Sequence, residues 1–447
     1  MLISFSLENW MCFRDQVTFS MIASKERQHL KRLPRVEKFK TNFLPVAAIY
    51  GGNASGKTIF FKALRFAQNL VEDGTKPDGL IPVVPFKLDP AYATKPSLFK
   101  FELLIEEVVY EFSFSLTREF VLEEKLVLIN SKSEKILYHR KNGKFTFEST
   151  LSKQERLKFV SKGTRDNQLF LTNSISQNLS NFRAVYDWFK KTLMLIEPSS
   201  KFSFEELFFA EKDPLGAFIN MLLPLLDTGV ARLDAESIPL ESASVPEQLK
   251  LNLQKHMKED HVISLIGHVD NEHLLVTSSE GELLAKKLIT YHHSETGAEV
   301  KFDMREESDG SRRVIDLLPA FIDLARDSKK VYIVDELDRS LHTLLTRSLL
   351  EFYLSNCSRQ TRSQLLFTTH DVLLMDQDLL RRDEMWVTER QPSGASSLYS
   401  FSEYKDVRYD KNVRKSYLQG RLGGTPRILL EATASNLELD SKPEQST

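Results

Sequence analysis

Cysteine is almost missing from this chain: Cys12 and Cys357 are the only two in 447 residues. That excludes a disulfide framework and any cysteine-rich metal site. Long apolar runs are missing too. No stretch approaches the roughly 18 consecutive apolar residues of a membrane helix, and Met1–Trp10 reads as a strand without a basic leader, so no membrane is expected and a cytoplasmic location is. Charge of one sign is not in excess: 60 Lys/Arg face 62 Asp/Glu, a net charge of −2, which gives no global attraction to nucleic acid. There is no internal repeat and no sustained heptad, so an extended coiled-coil arm is not expected. The remaining composition, 41% hydrophobic and 27% charged, is that of a globular protein too long for one ordinary core.

What is present is more specific. Gly51-Gly52-Asn53-Ala54-Ser55-Gly56-Lys57-Thr58 fits G-x-x-x-x-G-K-[ST] in full. It follows the apolar run Val46–Tyr50 and precedes a helical pattern at Ile59, Phe60, Ala63, Leu64, Ala67 and Leu70, the strand–loop–helix setting that a phosphate-binding loop needs. Glycines let successive N–H groups and the helix start face one anion. Lys57 is expected to reach the β- and γ-phosphates of a nucleoside triphosphate, and Thr58 to ligate Mg²⁺.

Far downstream, Val331-Tyr332-Ile333-Val334-Asp335-Glu336 reads as a buried strand ending in two acids. Paired carboxylates there cost desolvation free energy unless a cation or a reacting water uses them. Asp335 is expected to support Mg²⁺ and Glu336 to polarise the water that attacks the γ-phosphate. A further apolar strand, Gln364–Thr369, ends in His370, about 35 residues after the acid pair; a neutral imidazole there can contact the γ-phosphate or the water. Ser308-Asp309-Gly310-Ser311 opens the amphipathic run Val314–Leu324, either a helix cap or a second anion-binding helix start.

Together, Gly51–Thr58, Ser308–Ser311, Asp335-Glu336-Leu337-Asp338 and His370 resemble the ATPase heads of the ABC/SMC class. There they are the Walker A, signature, Walker B with D-loop, and switch-histidine elements. The opening Met1–Trp10, the run Asp335–His342 and the late Tyr417–Pro426 look like landmarks of the AAA-type ATP-binding proteins of bacterial phage-defence systems, the RloA/AbiL-like group, with PtuA and AriA as relatives. Asp309 inside the signature, and the lack of a Gln after it, depart from the transporter form. The resemblance implies an α/β P-loop NTPase fold, an ABC-ATPase-like head with a β-lobe and an inserted helical lobe, that binds ATP and Mg²⁺. It also implies a site completed by a second copy: Ser308 and Gly310 of one chain would meet the γ-phosphate held by its head-to-tail partner, with Asp338 beside it. A polar residue where core meets helical lobe usually senses Mg²⁺ in such heads; Gln177 is the candidate, with a helix cap at Ser176 or Asn178 as the alternative.

The expected layout is a first core segment with P-loop and β-lobe over 1–150, a mainly helical inserted lobe over 151–280, a second core segment over 281–430, and a disordered tail over 431–447. Alternation predicts strands at Ile3–Leu7, Val17–Met21, Leu98–Leu104, Val108–Leu116 and Glu124–Ile129, with turns at Ile105–Glu107 and Asn142-Gly143, and a loop over Glu236–Pro246. Charge is uneven: Lys132 to Arg165 holds 10 Lys/Arg against 3 Glu, which makes DNA or RNA a candidate partner. The function expected is an ATP-hydrolysing switch of an anti-phage system, controlling a separate effector nuclease encoded by a neighbouring gene. A RecF- or SMC-like DNA-repair ATPase and a non-hydrolysing ATP-dependent scaffold stand as alternatives.

Overall fold

The computed structural model describes residues 1–200, 214–243, 245–256, 262–266, 273–279, 282–404 and 413–425. The tail expected after 431 lies outside the described residues.

The core is a six-stranded sheet in the order 193–196, 331–334, 364–368, 46–50, 385–390, 396–400. Its first five strands are parallel and the edge pair 385–390 and 396–400 is antiparallel. Parallel strands are covered on both faces and therefore read as continuous apolar runs. Val46–Tyr50, Val331–Val334 and Gln364–Thr368 are buried throughout. Along Val46–Tyr50, Ala47 and Ile49 face one core while Val46, Ala48 and Tyr50 face the other.

The first core holds the helix Lys57–Glu72, wedged between this sheet and a second, seven-stranded antiparallel sheet in the order 144–147, 134–141, 121–129, 108–116, 97–105, 2–8, 17–20. Aromatic rings fill the wedge: Phe60 meets Phe5 at 5.4 Å and Phe19 at 5.7 Å, and Phe66 lies 4.8 Å from Trp10. Two-residue hairpins at Glu106-Glu107 and Asn142-Gly143 have positive φ at both positions, the turn geometry that matches strand twist. On the other face, helices Asp309–Ala325 and Thr343–Ser355 bury Leu317, Phe321, Leu349 and Tyr353 against Tyr332, Val334 and Phe367.

The inserted region differs from the mainly helical lobe expected over 151–280. Short helices do occupy 155–162, 170–176 and 183–187. Leu193–Ile196, however, is an outer strand of the core sheet, paired with the acidic strand. A run of four apolar residues is too short to show a period that tells strand from helix. Beyond it stands a third, antiparallel sheet in the order 232–239, 282–293, 273–279, 262–266, with 299–303 also on 282–293. Glu236–Pro239, expected in a loop, pairs with Leu284–Lys287.

Candidate functional site

The predicted P-loop, acid pair and histidine all lie just past the carboxyl ends of parallel core strands, where open α/β sheets bind ligands. Gly51 at φ 146° and Gly56 at φ 122° give the loop its curl, and Gly56 caps the following helix. A Cβ on Gly51 would come within 2.5 Å of the Thr388 carbonyl, so no side chain fits there. The Ser55 hydroxyl pairs with Thr388 Oγ1 at 2.6 Å, tying the loop to the neighbouring strand.

Lys57 is 5% exposed and its Nζ donates to the Gly51 carbonyl at 2.6 Å and the Gly52 carbonyl at 3.2 Å, with His370 Nδ1 at 3.5 Å. Burial pushes its pKa down to about 8, against the pull of Asp335, Asp338 and Glu336. Partial burial, and then the Lys57 ammonium, hold His370 below the ordinary histidine range, so the imidazole is neutral at neutral pH. The backbone N–H of His370 donates to Asp338 Oδ2 at 3.3 Å, and Asp338 Oδ1 is buried without a hydrogen-bond partner among the described residues.

Asp335 is 1% exposed. Its Oδ1 accepts from Thr368 Oγ1 at 2.6 Å and lies 3.5 Å from Thr58 Oγ1. Glu336 follows at φ 50°, an uncommon conformation for a side-chain-bearing residue, and its N–H donates to Thr368 Oγ1 at 2.8 Å. Thus one hydroxyl, Thr368, sets both acids. A buried carboxylate next to a threonine hydroxyl, a lysine parked on loop carbonyls and an unpartnered Asp338 oxygen form a donor set that suits a magnesium-bound triphosphate.

Ser308 caps the helix Asp309–Ala325 by accepting from Ser311 N at 3.0 Å. No hydrogen bond or ion pair joins 308–311 to 51–58 among the described residues. A Cβ on Gly310 would meet the Ser340 carbonyl at 3.0 Å, so the signature helix start instead rests on the turn that follows the acids. Gln177 does not join the cluster either. It ends the helix Phe170–Ser176, where its carbonyl accepts from Arg156 Nη2 at 2.8 Å on an exposed surface. The polar residue that follows the strand next to the acidic one is Glu197, whose carboxylate pairs with Arg65.

Two further residues escaped the sequence. Thr368 sat inside an apolar run and gave no signal. Arg313 is 5% exposed and donates to the carbonyls of Glu336 at 3.4 Å and Glu197 at 3.5 Å. It thereby links the signature helix to the acid turn and to the end of strand 193–196. The doubled Arg312-Arg313 was the available signal.

The family model described as "AAA domain, putative AbiEii toxin, Type IV TA system" matches residues 46–376, a span that takes in every element of the cluster. No curated protein sequence matches the chain. Solved structures similar to it include an SmcHead bound to the C-winged helix domain of ScpA, 12% identical, covering 89% of this chain and 97% of that chain at a TM-score of 0.39. The SMC head domain from Thermotoga maritima is 11% identical, covering 89% and 98% at 0.37. An Smc head with an extended coiled coil, bound to the C-terminal domain of ScpA derived from Pyrococcus furiosus, is 11% identical, covering 99% of both chains at 0.37. No helix among the described residues is long and apolar enough to cross a membrane. With a P-loop NTPase fold and a family match over most of its length, the chain belongs to this AAA-domain family of ATP-binding proteins.

Proposed function

We propose that this chain is an ATP-hydrolysing switch that closes head to tail on ATP with a second copy of itself and controls a separate effector. The observation that carries this reading is the split between two half-sites. Lys57, Thr58, Asp335, Glu336, Asp338 and His370 converge on one loop, while among the described residues the Ser308–Ser311 helix start makes no bond to it. A triphosphate held by the first half in one chain can be capped by the second half of another, and ATP then favours the closed pair because it binds that state better.

Each residue has a role in that scheme. Lys57 would exchange its two loop carbonyls for phosphate oxygens, releasing the loop as it does so. Thr58 and Asp335 would hold Mg²⁺, which supplies positive charge against the phosphates. Glu336, whose N–H and carbonyl are both fixed, would take the proton of the attacking water. His370, neutral, would hydrogen-bond at the same end of the site, and its N–H bond to Asp338 ties that end to the turn beneath Gly310. In the phage-defence systems that the motifs resemble, the effector is a nuclease from a neighbouring gene, and a location in the cytoplasm goes with that reading.

The test is Glu336→Gln. Turnover should fall about 100-fold or more while ATP binding persists, and sedimentation should show an ATP-dependent dimer. A strictly monomeric, ATP-loaded variant at high concentration would refute head-to-tail closure. One observation favours a second reading, direct action on DNA: the excess of basic residues between Lys132 and Arg165. Strong stimulation of ATP turnover by DNA ends would favour that reading over effector control.

A further inference from the structure

The run Tyr417–Pro426 has no part in the scheme above, yet its described portion sits against the phosphate loop. The Gly424 carbonyl accepts from the backbone N–H of Gly52 at 2.9 Å and from the Tyr417 hydroxyl at 3.0 Å. The Tyr404 hydroxyl donates to the Leu422 carbonyl at 2.7 Å, holding the turn from its other side. Both glycines of the turn have positive φ, 65° at Gly423 and 68° at Gly424. Neither has room for a side chain. A Cβ on Gly423 would lie 2.3 Å from the Tyr399 hydroxyl, and one on Gly424 2.2 Å from Val387 Cγ2. Two consecutive glycines adopt this left-handed turn without strain and pack directly against those side chains.

The other bonds of the loop explain why this contact matters. Its strand side is held by Thr388 through Ser55 and Tyr50, and its mouth by Lys57. The Gly52 N–H is held by the Gly424 carbonyl. When Lys57 leaves the Gly51 and Gly52 carbonyls for a phosphate, the Gly52 carbonyl keeps the Ser55 N–H at 3.3 Å, within the loop, and the Gly52 N–H keeps the Gly424 carbonyl, from outside it.

We propose that the Gly423-Gly424 turn is a brace on the phosphate loop, so that ATP affinity and docking of the 413–425 segment are coupled. This inference rests on the P-loop reading of ATP binding. Coupling of this kind is reciprocal: whatever factor the docked turn adds to ATP binding, ATP adds to docking of the turn. Gly424 and Tyr417 are positioning residues, acting through the loop and touching no reacting atom.

The experiment uses the full chain and ATP itself. Gly424→Ala should raise the KM for ATP at least about 10-fold with kcat at saturation nearly kept, because the loop is mispositioned but the acids are not. Tyr417→Phe, which introduces no clash, should raise KM by about 2- to 5-fold, roughly what one neutral hydrogen bond contributes. The double variant should be no worse than Gly424→Ala, since both act on one contact. In the wild type, ATP should slow hydrogen exchange in residues 416–425, and Lys57→Ala should abolish that slowing. Unchanged KM in both variants, or ATP-independent exchange in the turn while ATP is bound, would overturn the brace. If Gly424→Ala fails to fold, Tyr417→Phe and the exchange measurement decide. Tight ATP binding by Lys57→Ala would instead refute the P-loop reading, which is a separate failure.

Discussion

Thr368→Val isolates the hydroxyl that sets both acids. The side chain is 2% exposed, and valine keeps its shape, so packing is preserved and only the hydroxyl is lost. Two bonds go with it: the one donated to Asp335 Oδ1 at 2.6 Å and the one accepted from Glu336 N at 2.8 Å. A hydrogen bond to a buried charge contributes about 1.5–3 kcal/mol, and a buried N–H left unpaired costs about 1–3 kcal/mol. The losses share one atom and are not additive; Thr58 Oγ1, already 3.5 Å from the same carboxylate oxygen, can recover part of the first. A net loss of about 3 kcal/mol follows, which is a fall in urea midpoint of at most about 1 M at a slope of about 3 kcal/mol/M. Catalysis should suffer separately. Glu336 sits in a left-handed conformation that its neighbours must hold; loosening it by about 1 Å costs roughly 100-fold in turnover. The assays are urea unfolding and steady-state ATP hydrolysis, with Thr368→Ser as the control that restores both. Wild-type midpoint and turnover in the valine variant would refute the argument. So would a serine variant as impaired as the valine one, since the methyl rather than the hydroxyl would then matter.

Other outcomes follow from the same site. Because burial holds Lys57 at about 8, its ammonium is about nine-tenths present at pH 7 and one-tenth at pH 9. Binding to phosphate favours the charged form, so affinity for ATP should fall as pH rises through 8, by roughly tenfold between pH 7 and 9. Lys57→Arg, which stays charged, should flatten the profile in titration calorimetry; an equally steep profile would remove Lys57 as its cause. Ser308→Arg should block turnover without weakening ATP binding to the monomer. Mixed with Lys57→Ala, it should regain part of the activity, because one of the two hybrid interfaces is whole; no regain at all would count against a cross-chain site.

The legible parts of the chain were those where one residue type has one use. The Walker A run, the acid pair at a strand end and His370 each announced themselves, and they converge. Five of the seven strands of the second sheet were legible because they alternate, and the Glu-Glu and Asn-Gly turns were legible as well. Leu193–Ile196 was not, because four consecutive apolar residues read as buried helix as readily as buried strand. Gln177 was read from the polar run after Leu169–Leu171, and it lies at an exposed helix end rather than among the clustered residues. Thr368 and Arg313 were invisible for another reason: their importance lies in backbone groups of distant residues, Glu336 and Glu197, which no spacing along the chain reveals.

The strand order has a consequence for how the protein is made. The strand that carries the phosphate loop, Val46–Tyr50, has as its two neighbours Gln364–Thr368 and Met385–Arg390. Both emerge from a ribosome more than 300 residues later, which at about 5–20 residues per second is a wait of roughly 15–60 s. Through that interval an apolar strand stands unpaired on both edges. Such distant pairing is slow to form even after synthesis ends. The nucleotide loop is therefore among the last parts of the molecule to be assembled, and a nascent chain released early would carry the motif without the pocket.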